Sequence, residues 1–222
     1  SVELEKNDFI KLFHRDLTLL KNYIEHLKLE IDNIRGKKNI IQYYIFDKKW
    51  IKLNGLNKRK LDSVFLNPKI KQNLISNLTN FLTERDLYSK LGIPYKYNVL
   101  LYGLPGTGKT SLVTAVASEF NLDIAYISCK NSNFDDDIKL ILALSKIPNN
   151  CLLLIEDIEI ISKNINLTSI LDGISSKEGL ITFLTSNVTN SNNILSCNHK
   201  NSTNNPLVRP CRIDSNIKFD WA

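Results

Sequence analysis

At 222 residues, with 43% hydrophobic and 23% charged side chains, the chain has the composition of an ordinary globular protein, long enough for one good-sized domain and an appendage. A net charge of +6 and a pI near 9.0 allow an acidic partner, but Lys, Asn and Ile are spread throughout, so charge alone selects no function. No run approaches the ~18 apolar residues of a membrane span, and the N-terminus lacks the pattern of a signal peptide. Cys129, Cys151, Cys197 and Cys211 are too scattered for a disulfide framework, and Cys197 with His199 reads as a polar loop rather than half a zinc site. A reducing, intracellular setting is expected. Met is absent even at position 1, which leads us to expect a piece of a longer protein.

Apolar residues recur at helical spacing over 8–35 (Phe9, Phe13, Leu17, Leu20, Ile24, Leu27, Ile31, Ile34), predicting an amphipathic helix or helix pair that Gly36 stops. Ile40–Phe46 and Trp50–Leu53 flank the turn Asp47-Lys48-Lys49 and read as a β-hairpin, followed by the basic linker Asn57–Lys60. A helix is predicted over 69–91. Beyond it, buried-type strands alternate with helices: Asn98–Tyr102, Ile124–Ser128, Cys151–Ile155, Leu180–Thr185 and Ile217–Trp221. Continuous apolar strands of this kind imply an α/β fold whose five-stranded parallel sheet is covered on both faces. The stretch 188–205 is rich in Asn, Ser and Thr and reads as a solvated loop.

The first of these strands runs straight into Gly103-Leu104-Pro105-Gly106-Thr107-Gly108-Lys109-Thr110, which is GxxxxGK[ST] with a helix starting behind it at Ser111. The glycines let the backbone curl so that successive N–H groups face phosphate oxygens. The helix start adds its positive end, Lys109 supplies a point charge for the β- and γ-phosphates, and the Thr110 hydroxyl suits Mg²⁺. ATP with Mg²⁺ is the ligand this pattern predicts.

The third strand delivers Glu156 and Asp157 at its C-terminal end, where open α/β sheets bind ligands. One acid suits the metal and the other the attacking water, and strand alternation gives them different roles. Glu159 reads as an acid that starts a helix. Thr185-Ser186-Asn187 is by itself a turn signal, but at a strand tip the Asn187 amide is a candidate to bridge γ-phosphate and water. Arg209 and Arg212 flank Pro210 and Cys211, and guanidinium groups suit the spread charge of a phosphoryl group in transfer.

Taken together, LDSVFL, GIPYKYNVLLYGLPGTGKTS, LLLIEDIE, ILDGISSKEGLITFLTSN and NPLVRPCRID resemble the Bcs-type branch of the AAA+ ATPases, the family of the mitochondrial translocase for the Rieske iron–sulfur protein. The resemblance covers 61–222 as the large α/β ATPase subdomain, and more weakly 1–60 as the end of that branch's middle domain. It implies an ATP-hydrolysing translocase or chaperone for folded protein cargo, working as a homo-oligomeric ring of seven or six subunits, with membrane attachment through a segment outside this chain. It assigns Gly103–Ser111 to the nucleotide, Glu156 to the metal, Asp157 to the attacking water, Asn187 to the sensor role, and Arg209 and Arg212 to arginine fingers. Ser63 and Val64 match the stretch near adenine. Cys211 stands where the family has Gly, the Asn/Ser-rich loop lengthens the path from Asn187 to Arg209, and the family's C-terminal helical lid is not expected in this chain.

After the second strand, where unfoldases carry an aromatic-Gly pore loop, Phe134 is followed by Asp135–Asp137, which suit a helix cap better. Two competing readings remain: a nucleic-acid-directed ATPase resting on the basic 48–60 stretch, and a nucleotide-gated module that turns ATP over poorly.

Overall fold

The computed structural model describes residues 2–4, 10–12, 15–37, 39–129, 137–160, 177–188 and 213–220. The chain forms two compact units, Ser1–Asn39 and Ile40–Ala222. In the first, β1 (Val2–Leu4) pairs antiparallel with β2 (Ile10–Leu12), and α1 spans Leu17–Lys37. The helix therefore starts later than apolar spacing alone predicts. Ile10–Leu12 is taken by strand pairing, and the Asp16 carboxylate caps the helix by accepting from Thr18 N at 2.9 Å. Among the described residues, no helix is long and apolar enough to cross a membrane.

The second unit begins with the hairpin β3 (Ile40–Asp47) and β4 (Lys49–Asn57), turning at Lys48, whose φ is 58°. The predicted helix over 69–91 is two helices, α2 (Pro68–Thr83) and α3 (Arg85–Leu91). Asn67 caps α2 by accepting from Lys69 N at 2.9 Å, with Pro68 at its first position. Glu84 leaves helical geometry (φ −99°, ψ 22°) and separates the two. Then follow β5 (Lys96–Gly103), α4 (Lys109–Glu119), β6 (Asp123–Ser128), α5 (Asp137–Ser145), β7 (Cys151–Glu156), β8 (Leu180–Ser186) and β9 (Ser215–Phe219).

The five predicted strands are joined side by side, and the hairpin extends them to a seven-stranded sheet of order β4-β3-β6-β7-β8-β5-β9. β3 pairs parallel with β6 and antiparallel with β4, and every other neighbouring pair is parallel. Residues 40–57, read with 1–60 from sequence, are thus hydrogen-bonded into the sheet of the Ile40–Ala222 unit. Two contacts strengthen the attachment: Ile41 is buried in the core at 2% exposure, and Trp50 Nε1 donates to Ala143 O of α5 at 2.9 Å.

Strand alternation sorts the core into two layers. Val99, Leu101, Ile124, Leu152, Leu154 and Phe183 share one cluster with Leu74, Leu78 and Phe81 of α2 and Leu112, Val113 and Val116 of α4. Leu100, Ala125, Ile127, Leu153, Ile155 and Leu184 pack on the other with Leu140, Ala143 and Leu144 of α5. Burial on both faces is why these strands carry unbroken apolar runs.

Two expectations follow. A chain beginning at Ile40 will keep one cooperative urea transition, whereas a chain beginning at Leu61, without the hairpin, will lose cooperativity or unfold at markedly lower urea. Gly103→Ala will destabilise the unit by about 2–4 kcal/mol in urea titrations, because its new Cβ would lie 2.0 Å from Phe219 O on β9 at a φ of 141°.

Candidate nucleotide site

β5 ends at Gly103 and α4 starts at Lys109, so residues 104–108 form the loop between them. Gly106 and Gly108 hold φ of 80° and 99°, and a Cβ built at either meets nothing within 4 Å. Their requirement for glycine is therefore backbone curvature with open space alongside, as a phosphate nest needs. Gly103 differs: its glycine is demanded by the close approach of β9. Thr107 Oγ1 donates to Leu104 O at 2.8 Å and pins the loop from inside.

Lys109 is buried, and its Nζ donates to Gly103 O and Leu104 O, each at 2.8 Å. Burial pulls this ammonium below the ordinary lysine value, and the carboxylates of Glu159, Asp157 and Glu156 push back upward. The loop carbonyls thus hold the cation inside the curl of the loop.

Glu156 lies on the α4 face of β7. Its Oε1 accepts from the Thr110 hydroxyl and its Oε2 from the Tyr126 hydroxyl at 3.0 Å. Tyr126 also meets Ser128, and its phenol is pushed up to about 12, chiefly by burial and further by Glu156, so it remains a donor at neutral pH. Asp157, the next residue, turns off the strand with φ of 57°, a left-handed conformation that Asp tolerates better than most side chains. Its Oδ1 accepts from Asn187 Nδ2 at 2.6 Å, and its N–H donates to Thr185 Oγ1 at 3.4 Å. The adjacent acids thus have different partners: a hydroxyl of the phosphate loop for one, and the strand tip of β8 for the other.

A cavity of about 290 Å³ opens between these groups, lined by Pro105, Gly106, Gly108, Lys109, Thr110, Ser111, Glu156, Asp157, Thr185 and Asn187. Leu104 and Thr107 belong to the same loop but are not part of the lining. The donor set fits Mg²⁺–ATP. Open amide curvature and a lysine suit the triphosphate, and a hydroxyl beside a carboxylate is the oxygen-ligand pair that a hard cation prefers.

Two residues were passed over in the sequence. Glu159, read there as a helix-starting acid, sits in a short 3-10 turn (Ile158–Ile160), and its Oε1 accepts from Asn187 N at 3.2 Å. Its Oε2 is buried with no hydrogen-bond partner, beside a cluster that already holds Asp157 and Lys109. Arg59, read as part of a basic linker, donates from Nε to Ser63 Oγ at 2.9 Å and from Nη1 to Ser111 Oγ at 3.0 Å. It clasps the Leu61–Ser63 turn to the first turn of α4. Neither signal is visible in one dimension, because both partners lie far away in the chain.

Ser63 is exposed and also donates to Lys60 O at 2.7 Å, whereas Val64 is buried in the core at 3% exposure. Ser63 is thus linked through Arg59 to Ser111 of the cavity lining, whereas Val64 belongs to the core. Cys129, next to the acids, has its thiol pushed up to about 12 by burial and by Asp157, Glu159 and Glu156, which keeps it protonated and unreactive at neutral pH. Arg209, Arg212, Cys211, Phe134, Cys197 and His199 lie outside the described residues.

Comparison with known proteins agrees with this geometry. Residues 99–221 match the family described as "ATPase family associated with various cellular activities (AAA)". A probable mitochondrial chaperone, BCS1-A, of Dictyostelium discoideum is 37% identical over 184 residues, covering 74% of this chain and 41% of that protein. The mitochondrial chaperone BCS1 of Homo sapiens is 31% identical over 176 residues, covering 71% of this chain and 39% of that protein. An AAA-ATPase of Arabidopsis thaliana is 27% identical over 262 residues, covering 99% of this chain and 50% of that protein. The chain therefore spans half or less of the length of these curated relatives. The chain belongs to the AAA family of ATPases, in its Bcs1-type branch.

Proposed function

We propose that this chain is the nucleotide motor of a Bcs1-type chaperone, binding ATP with Mg²⁺ at the Gly103–Ser111 loop and hydrolysing it. The observation that carries the reading is the separate engagement of two acids that line one cavity, Glu156 by Thr110 and Asp157 by Asn187. On this reading the amides around Gly106 and Gly108 receive phosphate oxygens, and Lys109 exchanges its two loop carbonyls for them. Thr110 and Glu156 would hold the divalent cation, which when bound would neutralise charge on the phosphate oxygens. Asp157, oriented through its Oδ1 by Asn187, accepts a hydrogen bond from the attacking water and takes its proton. Glu159 keeps Asn187 in place by holding its backbone N–H.

Arg209 and Arg212 are proposed as fingers acting on a neighbouring subunit's nucleotide. A ring assembly, a folded protein cargo and attachment to a mitochondrial membrane extend the same reading from the Bcs-type resemblance, and the relatives named as mitochondrial chaperones support its chaperone part. The nucleic-acid alternative has lost its stacking platform. Trp50, the aromatic of the basic stretch, packs edge-on against Phe46 with centroids 5.4 Å apart and gives its indole N–H to Ala143.

Asp157→Asn in the assembled full-length protein is expected to retain ATP affinity within about threefold while hydrolysis falls at least ~100-fold, the scale of a lost general base. Lys109→Ala is expected to abolish saturable ATP binding. Equal hydrolysis by wild type and Asp157→Asn defeats the enzymatic reading. Arg59→Ala is expected to weaken ATP binding about 3- to 10-fold, the scale of one or two lost hydrogen bonds. Inorganic tripolyphosphate, which has no base or ribose, should bind the variant unchanged, and parallel losses for both ligands would contradict a role on the nucleoside side.

A further inference from the structure

We propose that Tyr126 is a positioning residue for Glu156, fixing its carboxylate from the neighbouring strand so that one oxygen stays turned toward Thr110 for the divalent cation. The proposal rests on the metal role given to Glu156 above.

The sheet places the two side chains on one face. β6 and β7 pair parallel with Ser128 opposite Glu156, and side chains two apart on a strand share a face, so Tyr126 and Glu156 project to the same side. The Tyr126 hydroxyl donates to Oε2 at 3.0 Å, while Thr110 donates to Oε1. The two oxygens are thus held by groups on different elements, and the carboxylate plane is set. This restraint answers a requirement that a glutamate at this position creates. A glutamate at the strand end has one more rotatable bond than an aspartate, and that torsion costs entropy whenever the carboxylate must be held in one place. A partner on the cation-remote oxygen removes the freedom in advance.

Tyr126 is itself held. Its ring packs against Tyr43 of β3 with centroids 5.6 Å apart and planes tilted by 40°. Tyr43 stands opposite Ile124 in the β3–β6 ladder, two residues before Tyr126 on the same face. The hairpin therefore supports Glu156 through two consecutive aromatic rings. Partners that orient a metal-binding side chain typically govern cation affinity by roughly 10- to 100-fold.

The test is Tyr126→Phe, which removes the hydroxyl and keeps the ring. Mn²⁺ binding to the full-length protein with ADP is followed by electron paramagnetic resonance, and ADP affinity is measured separately in EDTA. The expected result is Mn²⁺ affinity weakened about 10-fold or more with metal-free ADP affinity unchanged. Wild-type Mn²⁺ affinity in the variant overturns the proposal. So does an equal fall in metal-free ADP affinity, which would mean general damage to the site. If the wild type binds ADP but its Mn²⁺ affinity is indifferent to Glu156→Gln, the metal role of Glu156 fails and this proposal with it. Absence of ADP binding by the wild type would instead strike the nucleotide reading itself.

Discussion

Parallel pairing of β5, β8 and β7 is the constraint on which the site depends. The ladders align Leu101 with Thr185 and Tyr102 with Ser186 on one side, and Ile155 with Leu184 on the other. Three strands therefore end at one level, and each ends in a different kind of chemistry: a curled loop with a lysine, a polar tip, and a pair of acids. A shift of two residues in either ladder would move a partner along its strand by about 7 Å, beyond hydrogen-bond reach. The core enforces the register, because the same residues that set it are buried on both faces of the sheet.

Within that frame, the difference between Glu156 and Asp157 is one of backbone direction. Glu156 is the last residue of the strand and follows its alternation toward α4 and the phosphate loop. Asp157 departs into left-handed geometry and swings toward β8, where Thr185 and Asn187 receive it. Two identical functional groups, adjacent in the chain, acquire separate partners because the strand stops between them. Glu159 then closes the arrangement from behind. A buried carboxylate with one unsatisfied oxygen is costly on its own, and it is offset here by the field of Lys109 and by a backbone N–H of the polar tip.

The hairpin is more than an appendage to the sheet. It buries Ile41, anchors Trp50 on α5 and places Tyr43 against Tyr126, so its position reaches Glu156 through packed rings. At the other side of the loop, Arg59 ties the segment leaving the hairpin to the start of α4, and Lys58 Nζ donates to Asn121 Oδ1 at 2.7 Å at that helix's far end. The hairpin and the segment leaving it therefore contact the lining of the candidate site at two points, Glu156 through Tyr126 and Ser111 through Arg59.

The amino-acid order by itself determined the phosphate loop, the acid pair, the polar tip and the α/β class. Each of these is a contiguous run whose meaning lies in local geometry: glycines that permit curvature, apolar strands that must be buried, polar residues where a strand stops. The contacts of Arg59, Tyr126 and Glu159 escaped that reading, as did the membership of the hairpin in the main sheet and the reason for Gly103. All of these depend on a partner 28 or more residues away, such as Ser111 for Arg59, Asn187 for Glu159 and Glu156 for Tyr126. A hydroxyl or guanidinium has no fixed meaning until folding selects its neighbour, and only the tertiary structure decided which neighbour that was.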